Sequence, residues 1–241
     1  MSQLNDDPAL RPASFLLIVG AALLMAGNAV HPVDSEPSAT SRFEFAGEAL
    51  WVPVHLALGL GFLAVAIGMV NLFRSIEARR TGGLSAQIGS GSALLGGTLL
   101  AAVFVGLDGY AVGSLANEWA TADTAARAGL ESAAVALEAI DSGLAALGTL
   151  ALLGIALTAV GLVVLVSRLL PSWLGWTGVV LGVAGTVTGV LLLTQGFTEF
   201  TLNVLLRPLG LISTVYFIAL GLVARRSDGT MAPSPASPAP S

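Results

Sequence analysis

From Gly143 to Ser167 the chain carries no charged residue, and the same holds from Ser14 to Val30. A run of about 18 or more apolar residues is long enough to cross the ~30 Å hydrocarbon layer as a helix. No water satisfies backbone amides in that layer, so a lone crossing segment must close its hydrogen bonds on itself. These runs are apolar on every face, whereas a membrane β-barrel would show alternating segments of ~10 residues. Of the 241 residues, 55% are hydrophobic and 10% charged. Soluble domains carry about 25% charged residues, so this chain lacks the charge to coat a water-facing surface. The expected fold is all-α, a polytopic transmembrane helical bundle.

Six spans follow along the chain, at about 13–30, 48–73, 92–116, 141–167, 174–195 and 204–224. Residues 1–12 read as a cytoplasmic lead, 13–226 as one membrane domain, and 227–241 as a Pro/Ser/Ala-rich cytoplasmic tail without periodicity, expected to be disordered. Span 1 has a rival reading as a cleaved signal peptide, with Gly27 and Ala29 at small-residue spacing. The basic leading region that such a peptide needs is missing, because Arg11 is offset by Asp6 and Asp7. Residues 117–140 are polar and alanine-rich, with the spacing of a helix leading into span 4. Arg127 and Glu131, four apart on it, are expected to pair.

Basic residues favour the cytoplasmic side of a membrane. With the N-terminus inside, Arg11, Arg74, Arg79, Arg80, Arg168, Arg225 and Arg226 fall inside, against Arg42, Arg127 and Arg207 outside. This predicts that both ends of the chain are in the cytoplasm and that the protein is a multi-pass component of the plasma membrane. The net charge of −5 and the lack of a basic patch exclude nucleic acid as a partner. The lipid bilayer is the expected one.

Span 5 carries Gly178, Gly182, Gly185 and Gly189, which at ~100° per residue share one helix face. Such a flat face lets another helix approach closely. The expected use is packing within the chain, and the other reading is a contact with a second copy or another membrane protein. Gly59, Gly61 and Ala64 match a dinucleotide-binding pattern, but that pattern needs a preceding strand and here lies inside an apolar helix. The chain has no cysteine, so thiolate metal sites are impossible. No cofactor is expected.

Polar residues inside spans are costly and mark candidate sites. His55, Asp108, Glu199 and Arg207 all fall toward the outer third, which suggests an outward-facing polar pocket. An Asp108–Arg207 ion pair between spans 3 and 6 is the structural reading of the same residues. His31 and His55, with Asp108 or Glu199, could supply a zinc site with an open position. Haem ligation by the two histidines is disfavoured because they read as lying at different depths. Glu131, Glu138 and Asp141 form an acidic stripe that reads as a solvated helix face.

The span layout, with Pro171-Ser-Trp-Leu-Gly-Trp176 opening span 5 and Gly210 to Arg226 closing the bundle, resembles small six-span integral membrane proteins of prokaryotes whose role is uncharacterised. The resemblance implies the fold and a plasma-membrane location, and assigns no catalytic residue. Membrane ceramidase-like hydrolases use more histidines and usually seven spans, a pattern from which this chain departs. The leading functional expectation is non-enzymatic: binding or conducting a small solute or ion, or scaffolding a partner. The alternative is an intramembrane metal-dependent hydrolase using His31, His55 and a carboxylate.

Overall fold

The computed structural model describes residues 10–31, 43–44, 46–77 and 83–227. Among these the regular structure is helical and contains no strand. Six helices are long and apolar enough to cross a membrane: α1 (Leu10–Val30), α2 (Trp51–Glu77), α3 (Gly83–Thr121), α4 (Thr124–Ser167), α5 (Ser172–Gln195) and α6 (Phe200–Arg226). Arg42, Arg79, Arg80 and residues 228–241 lie outside the described residues, as do positions 1–9 of the lead. Positions 10–12 belong to α1.

The helices outrun the apolar spans that mark them. At 1.5 Å per residue, the 39 residues of α3 and the 44 of α4 are about twice as long as the hydrocarbon layer is thick. Hydropathy marks the apolar band, while backbone hydrogen bonding carries the helix on into water. The hairpin between α3 and α4 is where this excess lies. Asp123 caps α4 by accepting from the Ala126 amide at 2.9 Å, which satisfies one of the orphan donors of a helix start. Trp119 then organises the hairpin. Its indole donates to Glu131 Oε1 at 3.3 Å, and the Arg127 guanidinium lies 4.5 Å over its ring. Arg127 also turns back to the Ala122 carbonyl at 3.1 Å. The expected Arg127–Glu131 pair is therefore replaced, because a planar indole between them gives each a nearer partner.

Neighbouring helices pack in chain order, and α6 returns to lie against α1 and α5. We call the end where α2, α4 and α6 begin the head of the bundle. Each seam closes at glycine. A Cβ on Gly20 of α1 would sit 2.8 Å from the Gly61 carbonyl of α2. Gly96 and Gly148 meet between α3 and α4, and Ser14 Oγ donates to the Gly221 carbonyl at 2.7 Å between α1 and α6. The span 5 glycines are one case of this rule. Gly178, Gly182, Gly185 and Gly189 all face α4, at Gly161, Thr158, Leu153 and Leu150. That face is covered within the chain, and the opposite face of α5 exposes Trp173, Trp176, Val180, Val183, Val187 and Val190. In a bilayer, helix association rests on close van der Waals contact and not on hydrophobic transfer, so glycine is the residue that lets backbones touch.

Three stretches widen into π-helix: Ala102–Val112 in α3, Leu150–Ala156 in α4 and Phe200–Leu206 at the start of α6. The α4 stretch lies against Gly185 and Gly189, so the glycine face makes room for the wider turn. π-helix is rare, and is found frequently at functional sites.

The core below the head is filled by Leu17, Leu58, Met69, Phe73, Leu152, Leu157, Phe217 and Leu220. Among the described residues, Ser213 Oγ and the Tyr216 hydroxyl of α6 are buried there without a hydrogen-bond partner, and the latter lies against Gly178. An unmet buried hydroxyl costs about 1–3 kcal/mol. Tyr216→Phe, which removes the oxygen and keeps the ring, is expected to raise stability by about 1 kcal/mol. Thermal unfolding in detergent checks this, and a lower midpoint would show that the hydroxyl is satisfied in solution.

Candidate functional site

The packing register of α1 on α2 decides what meets at the head. Gly20 lies against Gly61 and Val65, and Gly27 lies against Leu58 and Val54. The helices are antiparallel, so the next turn of α1 must come level with the first turn of α2. His31, directly after α1, arrives beside His55. Their Nε2 atoms are 3.2 Å apart, with ring centroids at 4.9 Å and planes inclined by 64°. The expectation that the two histidines lie at different depths is overturned. It measured His55 from Glu48, whereas α2 begins at Trp51.

His55 is fully buried and His31 half-buried. The His55 Nδ1 atom lies 2.7 Å from the carbonyl of Trp51, one turn earlier. The Trp51 ring lies tilted against both, its centroid 4.2 Å from that of His55 and 5.9 Å from that of His31. Its indole donates to the Asp108 carbonyl at 2.8 Å, binding α2 to the π-helical stretch of α3. Gly109 of that stretch has no room for a side chain, because a Cβ would lie 2.9 Å from that of His55. Phe104 closes the far side at 6.1 Å from His55, itself stacked on Phe62 at 5.4 Å. Trp51 also belongs to a second apolar cluster with Phe43, Val112, Ala116 and Ala134, which lies over the site as a cap.

A buried carboxylate lies near this level on the next seam. Asp141 of α4 is 2% exposed. On one side of it, Gly148 packs on Leu100 and Gly96 of α3. On the other, Ala134 clusters with Val112 and Ala116 of α3. Asp141 is thus bracketed at the height of the α3 stretch that holds Asp108. Reading Asp141 as part of a solvated acidic stripe missed this burial. A signal was available in Ala134, Asp141, Ala145 and Gly148, which follow helical spacing along one face.

The four pocket candidates divide into two places. His55 and Asp108 belong to the α2–α3 seam. Glu199 and Arg207 are exposed at the start of α6, where Arg207 bonds the Asn203 side chain one turn back. Because α6 lies on α1 and α5 while α3 lies on α2 and α4, the expected Asp108–Arg207 pair has no seam on which to form. Among the described residues no group of three or more His, Asp or Glu side chains converges as metal ligands. The two histidines alone fall short of the three protein ligands of a catalytic zinc site. The chain matches no protein-family model, no curated protein and no solved structure.

Proposed function

We propose that this is a non-enzymatic, multi-pass protein of the plasma membrane, with both ends in the cytoplasm, that binds a small ion or polar solute at the head of the bundle. The observation that carries this reading is the pair of facing imidazoles, one fully buried, between aromatic rings. Two polar rings brought together where apolar side chains would pack without penalty cost stability. Polar groups at such a position in a membrane bundle are candidates for function, and their cost here supports a binding role. The excess of arginine on one side supports the orientation, and the exposed apolar belt of Phe15, Leu60, Ile67 and Val180 supports lipid as the surrounding partner.

A ligand that binds only the folded form stabilises it by mass action, by about 2.7 kcal/mol at a hundredfold excess over Kd. Full-length protein in detergent micelles is to be melted against a panel of protons, Na⁺, K⁺, Mg²⁺ and Zn²⁺. At least one is expected to raise the midpoint, His55→Gln to abolish that response, and Asp108→Asn to shift its midpoint concentration with helix content unchanged. Identical responses of all three proteins across the whole panel would defeat the reading.

A further inference from the structure

Resting on the reading of the head as a binding site, we infer that its ligand is a late first-row divalent metal ion, of the Zn²⁺ and Cu²⁺ class, held by His31 Nε2 and His55 Nε2 together. The two nitrogens come from different helices. His31 directly follows α1, and His55 lies near the start of α2. Their separation is 3.2 Å. Two nitrogens bonded to one metal at ~2.0–2.1 Å stand about 2.9 Å apart at a right angle and about 3.3–3.4 Å apart at the tetrahedral angle. The pair is therefore already spaced for one ion. Without metal the same separation is a hydrogen bond between the rings. With metal, the ion stands off the line between the nitrogens and each ring tips toward it.

The surroundings of His55 suit a ligand. The Trp51 carbonyl, 2.7 Å from His55 Nδ1, only accepts, so Nδ1 donates to it and the lone pair of the neutral ring is on Nε2. Metal-binding histidines almost always give their other ring N–H to such an acceptor, which fixes the orientation of the ring and raises its basicity. Coordination uses the Nε2 atoms and leaves this bond in place. The ring is also hemmed in. The Trp51 and Phe104 centroids lie at 4.2 and 6.1 Å, and a Cβ on Gly109 would lie 2.9 Å from its own. A side chain ordered in advance costs less to order on binding.

Donor type selects the ion. Neutral imidazole suits zinc, copper, nickel and iron, whereas Mg²⁺ and Ca²⁺ take oxygen ligands. Among the described residues no third His, Asp or Glu side chain joins the two, and the chain has no cysteine. Two protein nitrogens leave the remaining positions to water or to a small solute, on the side of the half-buried His31. With geometry left to the ion, affinity follows the intrinsic order, in which Cu²⁺ binds more tightly than Zn²⁺.

Full-length protein, purified without a histidine tag and stripped of metal, is to be titrated with Zn²⁺ in lipid nanodiscs by calorimetry, and the loaded sample read by X-ray absorption. His31 and His55 are the two histidines of the chain, so imidazole scattering identifies them. One Zn²⁺ per chain is expected, with two imidazole nitrogens at ~2.0–2.1 Å, displaced by Cu²⁺ and untouched by Mg²⁺ in large excess. His31→Gln and His55→Gln should each weaken binding by more than the about 10–100-fold that loss of an outer hydrogen bond costs. A shell of oxygen alone, a single imidazole per ion, displacement by Mg²⁺ or the absence of saturable Zn²⁺ binding each overturns the inference. The wild-type protein alone decides these outcomes, so a misfolded variant does not blunt the test. A His55-dependent response to Na⁺, K⁺ or Mg²⁺ in a protein that takes up no Zn²⁺ would sink this inference alone. The lack of a His55-dependent response to every member of the panel would sink the binding reading with it.

Discussion

Gly185→Val is expected to prevent α4 and α5 from closing. A Cβ at this position would fall on the carbonyl carbon and oxygen of Leu153 and near the Gly154 nitrogen. These are backbone atoms, so no rotamer change relieves the clash, and the π-helical turn they belong to already stands proud of the helix. Overpacking against movable side chains costs about 1–3 kcal/mol, and against backbone the loss should exceed that range. Separation of the two helices also forfeits the contacts of Gly182 and Gly189. The measurement is thermal unfolding and size-exclusion behaviour in detergent, where the variant should aggregate or melt far below the parent. Gly143→Ala is the control. Nothing lies within 4 Å of that Cβ, and alanine gains up to about 1 kcal/mol over glycine in a helix. A Gly185→Val protein that melts like the parent would mean that α4 and α5 do not touch as described.

Trp51→Ala should be the most damaging change at the head. The side chain is 5% exposed, and truncating a buried tryptophan costs about 3–5 kcal/mol. Three things are lost together: the cap over His55, the indole bond to the Asp108 carbonyl, and the anchor of the outer cluster with Phe43 and Val112. Trp51→Phe separates them, since it keeps a ring and removes the N–H. It should cost about 1 kcal/mol for the hydrogen bond beyond any loss of packing. Denaturant unfolding gives the order parent, Phe, Ala. A Trp51→Ala loss below about 1 kcal/mol would reduce Trp51 to an interfacial anchor of the kind common in membrane belts.

The number of spans was legible because lipid imposes a single rule: long apolar runs must be helices. Their ends were not. Gly83 and Thr124 start helices far from the apolar band, since water tolerates a helix as readily as lipid requires one. The glycine spacing in α5 was legible as a face, because periodicity is a property of one helix. Its partner was not, because α4 offers Leu153 and Thr158 through a π-helical stretch that no residue pattern announces. At the head, His55 and Asp108 stood out by their cost in an apolar run. The meeting of His31 with His55 depends on the register of two helices, which Gly20, Gly27 and Gly61 set by contact. Glu199 and Arg207 shared a depth with them but not a seam. Depth is written along one chain, whereas lateral neighbours follow from how six helices close.

Below the histidines α2 buries only apolar residues until Ser75, from Leu58 through Phe73. The seams on either side close backbone to backbone at Gly61 and Gly97. Among the described residues the core beneath the head is thus dry and closed by backbone contact, so a solute bound at the head as proposed would exchange with the side from which it entered.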